Sequence, residues 1–272
     1  MGTLNGALIG LGSNLGDRAV LLDGAIAALA EIRQIEVRAV SSYWETDPVG
    51  GPPGQGPFLN ASAALRTTLD PLELLGVLQA IEARAGRSRM VRWGERTLDL
   101  DLLIFEGEFR WTAELIVPHP RLAVRRFVLD PLVEIAPEVI HPATGLSLAE
   151  LRTRLDRRPG RIALLGPPGP IKAEVFGRLA SSLAGRDWIV SDLDFVARPP
   201  GISEGPSTPT FGVVVDPEGS ITPGPRQTDF PLLWPESNGP EAILAEALAA
   251  CSASRESGKR LRDPCRPHQA PL

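Results

Sequence analysis

The spacing of apolar residues changes repeatedly along the first hundred positions and predicts alternating strands and helices. Apolar residues recur at 3.6-residue spacing in two segments and alternate with polar ones, or run together, in four others. The predicted elements are strands at 7–11, 36–44, 58–66 and 97–105 and helices at 19–32 and 71–84. Asn14 or Asp17 is expected to cap the first helix, and Asp70 begins the second. The order βαββαβ indicates an α+β fold with a ferredoxin-like antiparallel sheet and its helices on one face.

A break in the pattern near Pro159-Gly160 predicts a second, smaller α/β unit. Residues 1–158 are expected to form the first domain, closed by helical segments at 122–135 and 147–156. The unit at 160–251 begins strand, loop, helix, strand, and then becomes rich in proline. The polar tail at 252–272 is expected to be disordered.

Composition excludes several classes of protein. The formal net charge is −5, with 43% hydrophobic residues, which is typical of a globular protein and lacks the basic excess of a nucleic-acid binder. No apolar run reaches the ~20 residues needed to span a bilayer, and no signal-peptide pattern opens the chain, so a cytoplasmic protein without membrane partners is expected. Only Cys251 and Cys265 occur, which leaves the main body without a thiol framework. The oligomeric state does not follow from the sequence.

Two aspartates interrupt the last predicted strand of the first domain. Side chains two positions apart on a strand share a face, about 6.6 Å apart, so Asp99 and Asp101 should point the same way and the flanking leucines the opposite way. Such a pair repels unless a cation lies between its members, and Mg²⁺ takes carboxylate, phosphate and water oxygens. An edge strand with a solvated acidic face and no ligand is the plainer alternative.

An arginine-rich segment precedes this strand and favours a polyphosphate ligand. Five arginines lie within thirteen residues, with Glu95 as the only acidic residue among them; they are Arg84, Arg87, Arg89, Arg92 and Arg96. The guanidinium group offers paired donors that match phosphate oxygens. A solvated face or an RNA-binding patch are the other interpretations, and the adjacent acidic pair disfavours the second. Phosphoryl-type transfer from a nucleotide is the favoured chemistry.

Four separated blocks resemble the 6-hydroxymethyl-7,8-dihydropterin pyrophosphokinase family of the folate pathway, over residues 5–158. They are GLGSNLGDR, SSYWETDPVG followed by FLNA, RWGERTLDLDLLIF, and VPHPRLAVRRFVL. The resemblance implies transfer of pyrophosphate from ATP to 6-hydroxymethyl-7,8-dihydropterin, leaving AMP, with two Mg²⁺ ions as cofactors. A pterin- or nucleotide-binding regulator that has lost catalysis is the alternative.

The resemblance also implies a set of site residues. Asp99 and Asp101 match the metal-binding aspartates and, with Arg87 and Arg92, the catalytic group. The residues matched to ATP binding are Glu82, Arg89, Trp93, Arg96, His119 and Arg125. Those matched to the pterin pocket are Thr46, Val49, Phe58, Asn60 and Phe127. The residue types fit these roles, because two aromatic rings can sandwich a flat heterocycle and a carboxamide both donates and accepts hydrogen bonds. The alternative for Phe58 and Phe127 is a place in the hydrophobic core, which is the more common one for phenylalanine.

The second unit contains an incomplete phosphate-binding loop. GPPGPIKA, at 166–173, has the context of a P-loop but places Ile171 where glycine is needed and Ala173 where a hydroxyl is needed. The unit at 160–251 resembles a degenerate P-loop nucleoside kinase, and an unrelated α/β packing is the alternative. Residues 160–272 are expected to be dispensable for the pyrophosphokinase reaction, and His141 and His268 are interpreted as surface residues.

Overall fold

The structure is a computed structural model that describes residues 5–86, 94–193, 211–215, 232–233, 239–255 and 258–261. These residues form two compact units. The described residues up to 119, with 126–139 and 258–261, form the first unit, and those of 120–125 and 140–255 form the second.

The first unit contains eight strands and three helices of the described chain. Its strands are β1 (Asn5–Ser13), β2 (Ile35–Val40), β3 (Trp44–Thr46), β4 (Phe58–Thr67), β5 (Asp99–Phe105), β6 (Arg110–Trp111), β7 (Ile116–Val117) and, near the end of the chain, β12 (Lys259–Arg260). Its helices are α1 (Arg18–Ala30), α2 (Pro71–Arg84) and α3 (Arg126–Ile135).

The main sheet confirms the predicted ferredoxin-like fold. β1 lies between β4 and β5, β4 also pairs with β2 and β3, and every pairing is antiparallel. Alternate residues of β1, such as Ile9 and Leu11, face a core that α1 and α2 complete from the same side. α2 begins with a capping box in which Asp70 and Glu73 satisfy each other's backbone N–H groups.

The opposite face of the sheet is partly covered by α3. Trp44 faces this side, because it pairs with Asn60, which alternates with the core residue Leu59. The indole Nε1 of Trp44 donates to Glu134 of α3 at 2.9 Å, and α3 also packs against β4. The helices α1 and α2 therefore share one face of the sheet, as predicted. In contrast, α3 lies on the other face and leaves only part of it open.

The second unit is an α/β body, as predicted from the pattern after residue 160. Its strands β8 (Gly160–Leu165), β9 (Trp188–Leu193), β10 (Phe211–Val214) and β11 (Leu232–Leu233) form a parallel sheet in the order β11-β10-β8-β9. Its helices are α4 (Leu148–Arg154), α5 (Pro170–Leu183) and α6 (Pro240–Arg255).

The structure divides the chain at different places from those predicted. The segment 140–158, including α4, belongs to the second unit, so the predicted boundary at 158–160 falls inside that unit. Part of the segment predicted as a disordered tail is ordered: residues 252–255 end α6, and β12 joins the main sheet of the first unit. Hydrophobic pattern alone missed β12 because a two-residue strand has no periodicity.

Two further observations concern the whole described chain. His141, interpreted as a surface residue, is instead buried in the second unit, while His268 lies outside the described residues.

Among the helices that the structure describes, none combines the length and the apolar character required to traverse a bilayer.

Candidate active site

A row of paired residues crosses four strands on the open face of the main sheet. Trp44 pairs with Asn60, Asn60 with Gly12, and Gly12 with Asp99. Directly paired residues of antiparallel strands lie on the same face, so this row joins the predicted pterin-binding side to the predicted metal-binding side. Asp101 lies on the same face, where it pairs with Gly10.

Gly12 lies between the predicted pterin-binding side and the predicted metal-binding side of this row. A Cβ added at Gly12 would lie 3.3 Å from Oδ1 of Asn60, and 3.9 Å from both Cβ of Asp99 and Cδ1 of Phe58. These side chains therefore surround one small space, which any larger residue at this position would occupy. Gly12 is not among the site residues predicted from sequence, although a glycine within a buried strand often marks the close approach of another group.

The two aspartates have the predicted geometry and different partners. Leu98, Leu100 and Leu102 are buried on the core face, while both carboxylates lie half-buried on the open face. Asp99 forms an ion pair with Arg96. Among the residues that the structure describes, Asp101 forms neither a hydrogen bond nor an ion pair. β5 is an edge strand, as the plainer alternative required, but Asp99 faces the space above Gly12, while a Cβ added at Gly10, the residue paired with Asp101, would lie 3.4 Å from Cδ1 of Leu103.

Glu82 supports the strand between the aspartates. It is buried on α2, and its Oε1 accepts the backbone N–H of Leu100 at 2.7 Å. The role of Glu82 in ATP binding, which the family resemblance implies, stays a prediction. The structure adds a contact by which Glu82 holds the backbone between Asp99 and Asp101.

Four of the residues matched to the pterin pocket come from β3, β4 and the loop that joins them. Nδ2 of Asn60 donates to Oγ1 of Thr46 at 2.8 Å, and both side chains are buried. Phe58 pairs with Thr46 and lies half-buried on the same face, while Val49 is half-buried in the loop between β3 and β4. The Asn60 carboxamide oxygen accepts no hydrogen bond within the described part of the chain, so it is available to a ligand.

Phe127 comes from a different element than the other residues matched to the pterin pocket. It lies in the first turn of α3, the helix that packs on the open face, and is half-buried. That position is compatible with the predicted stacking role, which stays a prediction.

Asn14 connects two loops next to this face and was not assigned to the site from sequence. Its Oδ1 accepts the backbone N–H of Arg96 at 2.7 Å, and its backbone N–H donates to the carbonyl of Arg96 at 3.1 Å. Its Nδ2 donates to Oε1 of Gln55 and to the carbonyl of Gly56, both at 3.4 Å. Asp17, rather than Asn14, caps α1. Asn14 thus ties the glycine- and proline-rich loop to the segment that leads into β5.

The remaining predicted residues fall in three places. Arg87, Arg89, Arg92 and Trp93 lie outside the described residues. His119 is half-buried, and its backbone N–H donates to the carbonyl of Leu103 on β5 at 2.8 Å. Arg125 is half-buried and belongs to the second unit. The roles of these residues in ATP binding stay predictions.

The P-loop-like segment of the second unit has the predicted strand, loop and helix context. The loop after β8 leads into α5, and Nζ of the buried Lys172 donates to the carbonyl of Gly166 at 2.9 Å. A Cβ added at Gly166 would lie 1.9 Å from the carbonyl oxygen of Val215, so only glycine fits there. The lysine that would contact phosphate in a P-loop is therefore engaged with its own loop.

Comparisons with known proteins agree with the geometry of the first unit. The family model for 7,8-dihydro-6-hydroxymethylpterin-pyrophosphokinase (HPPK) matches residues 8–137. The chain is 51% identical over 141 residues to the 2-amino-4-hydroxy-6-hydroxymethyldihydropteridine pyrophosphokinase of Bacillus subtilis, an alignment that covers 52% of this chain and 84% of that protein. The protein of the same name from Synechocystis sp. is 44% identical over 152 residues, covering 56% of this chain and 77% of its own length.

A likeness to solved structures is much weaker. The match to the crystal structure of Plasmodium falciparum HPPK-DHPS wild type with pteroate is 15% identical, covers 79% of this chain and 63% of that chain, and has a TM-score of 0.44. The sequence relatives are decisive, because their alignments cover most of their own length. The chain belongs to the 7,8-dihydro-6-hydroxymethylpterin-pyrophosphokinase family.

Proposed function

We propose that this chain transfers pyrophosphate from ATP to the hydroxymethyl oxygen of 6-hydroxymethyl-7,8-dihydropterin. In this reaction the hydroxymethyl oxygen forms a bond to the β-phosphorus of ATP, and the bond from that phosphorus to the α–β bridging oxygen breaks. AMP leaves, and the hydroxyl proton is released to solvent. The products are the pterin diphosphate and AMP.

The observation that supports this proposal best is the row from Asn60 through Gly12 to Asp99. In this row the Asn60 carboxamide, a group suited to the edge of a heterocycle, lies on the same face as the carboxylates of Asp99 and Asp101, which are suited to a metal–phosphate group. Gly12 leaves the space between them open. A reaction between a pterin and a nucleotide triphosphate needs both groups side by side, because positioning accounts for much of the catalysis in phosphoryl transfer.

The pterin side is assigned to the residues of β3, β4 and α3. Asn60 would donate and accept at the pterin edge, with its orientation set by the hydrogen bond to Thr46. Phe58 and Phe127 would stack against the two faces of the ring, and Val49 would close the pocket from the loop. Each aromatic stack contributes about 0.5 to 1.5 kcal/mol beyond area burial.

The phosphate side is assigned to Asp99, Asp101 and the arginines. No group of three or more acidic, histidine or cysteine side chains arranged to hold a metal ion occurs within the described residues, so the aspartates would supply two ligands and phosphate oxygens and water the others. This donor set fits two Mg²⁺ ions, which would neutralise charge on the transferred group. Arg96 already approaches Asp99, while Arg87, Arg89, Arg92, Trp93, His119 and Arg125 are assigned to the nucleotide by family resemblance.

A direct assay tests the proposal. The full chain should form AMP from ATP only when 6-hydroxymethyl-7,8-dihydropterin and Mg²⁺ are both present, with one pterin diphosphate formed per AMP, as measured by chromatography. Formation of ADP instead of AMP would contradict pyrophosphate transfer. Binding of both substrates without turnover would favour the alternative of an inactive regulatory protein.

A further inference from the structure

The chain returns to the first unit after α6 and adds a strand to its main sheet. β12 pairs antiparallel with β3, with Lys259 opposite Glu45 and Arg260 opposite Trp44. The backbone N–H of Leu261 donates to the carbonyl of Tyr43 at 2.7 Å, and Leu261 packs against the core of this unit. We call residues 258–261 the tail strand. Without it, the three-residue β3 would be the exposed edge of the sheet, where strands are held by only one neighbour.

Gly258 packs directly against Thr46 of the proposed pterin pocket. A Cβ added at Gly258 would lie 2.7 Å from Cγ2 of Thr46 and 3.0 Å from the carbonyl oxygen of Glu45. Thr46 is only 5% exposed, and its Oγ1 accepts the hydrogen bond that orients Asn60. A side chain at position 258 would therefore displace Thr46 or β3, and with it the partner of Asn60.

Arg260 connects the tail strand to α3 as well as to the segment before β3. Its Nε and Nη2 donate to Oγ of Ser42 at 2.9 and 2.6 Å, and its Nε lies 3.2 Å from Oε1 of Glu134. Glu134 also accepts the backbone N–H of Ser42 at 2.7 Å and the indole N–H of Trp44 at 2.9 Å. The Arg260 side chain is 58% exposed, so its charge adds little to the free energy of unfolding. Its contribution is to orient Ser42 and Glu134 through these directional bonds.

We propose that the tail strand is a positioning element for the pterin pocket. It holds β3 against β4, so that Thr46 keeps Asn60 oriented towards the heterocycle. It also holds α3, which bears Phe127, in position. This inference rests on the proposed function, because it takes Thr46 and Asn60 as pterin-binding residues. It also departs from the expectation that residues 160–272 are dispensable, since the tail strand lies within that range.

Substitutions in the full chain test the proposal. Gly258→Val should displace Thr46, and Arg260→Ala should remove the bonds to Ser42 and Glu134. In both variants the KM and the calorimetric Kd for 6-hydroxymethyl-7,8-dihydropterin should rise by about tenfold, with kcat and the KM for ATP within about twofold of wild type. Arg260→Lys keeps the charge but not the paired donors, so it should recover pterin affinity only in part. Lys259→Ala is the matched control, because its side chain is exposed and its backbone pairing is retained.

The outcomes separate this inference from the proposed function. Unchanged pterin affinity in both Gly258→Val and Arg260→Ala would overturn the positioning role. So would equal losses for pterin and ATP together with a lower melting temperature, because these would show a merely structural role. If the wild-type chain binds pterin but forms no AMP, the proposed function fails, while weaker pterin binding in the two variants would still support the tail strand as a positioning element.

Discussion

The carboxylate of Glu82 accepts the backbone N–H of Leu100, the residue between the two aspartates of β5, at 2.7 Å. The contact joins a helix of the core face to the strand whose opposite face bears the proposed metal ligands. A buried acceptor at this point fixes the peptide groups on which the orientation of Asp99 and Asp101 depends.

Replacing Glu82 tests whether it acts through the strand. Glu82→Ala should lower the free energy of unfolding by about 1 to 3 kcal/mol, because the buried N–H of Leu100 loses its acceptor, and turnover should fall with it. Glu82→Gln retains a side-chain oxygen and should stay close to wild type in both chemical denaturation and AMP formation. A Gln variant of normal stability that had lost turnover would mean instead that the charge of Glu82 acts on the substrates.

Asp101→Asn should abolish activity without destabilising the fold. Within the described residues Asp101 has neither a hydrogen bond nor an ion pair, so the substitution removes a metal-binding charge and disrupts no observed contact. AMP formation should become undetectable, and calorimetry should show weakened binding of magnesium-ATP, while the melting temperature stays within a few degrees. Near-normal turnover would exclude the metal assignment.

Asp99→Asn is the comparison for Asp101→Asn, because Asp99 has an additional partner. It loses the ion pair with Arg96 as well as a metal ligand. The pair is partly exposed, so we expect a stability loss of no more than about 1 kcal/mol, measured by chemical denaturation, alongside the same loss of AMP formation. A variant with the ion pair lost but turnover intact would show that Asp99 is only structural.

Asn14→Ala should disturb both loops beside the open face. The backbone N–H of Arg96 would lose its acceptor, and the contacts to Gln55 and Gly56 would be lost, so we expect a loss of about 1 to 3 kcal/mol in unfolding free energy. The KM for both substrates should rise, since one loop leads to the aspartates and the other borders the pterin residues. Asp17→Ala, which affects only the cap of α1, is the control and should reduce stability without changing the KM for either substrate.

His141 should make the second unit sensitive to acid. Burial lowers the pKa of its imidazole from 6.5 to about 4, so the unfolded chain binds a proton over this range before the folded chain does. The contribution of this residue to the free energy of unfolding is fully present above about pH 6.5, decreases as the pH falls towards 4, and is constant below that. The free energy of unfolding changes by about 3 kcal/mol in total over this range. Denaturation curves between pH 4 and 7 should show this slope in wild type and not in His141→Gln. Equal slopes would contradict the assignment.

Apart from the strand predicted at 36–44, which is two strands, β2 and β3, the sequence by itself determined the order of strands and helices up to β5 and the opposed faces of β5. Both follow from periodicity, since Leu98, Leu100 and Leu102 must be buried if Asp99 and Asp101 are not. The four family blocks were also recognisable without coordinates, because each block is a continuous stretch of local sequence. Burial of His141 was missed because a single polar residue in a short loop has no periodic signal.

Only the tertiary structure decided which residues meet across strands. The row from Trp44 to Asp99 depends on the register of four strands, and the contacts of Asn14 join residues separated by 41 and 82 positions. The return of Gly258 to Thr46 likewise follows no local pattern, because a two-residue strand is stabilised by the edge with which it pairs and not by its own composition. The spacing of residues within one strand or helix specifies the face on which each side chain lies. Strand register and pairing between distant segments specify which side chains lie next to one another, and the proposed site consists of side chains brought together in this way.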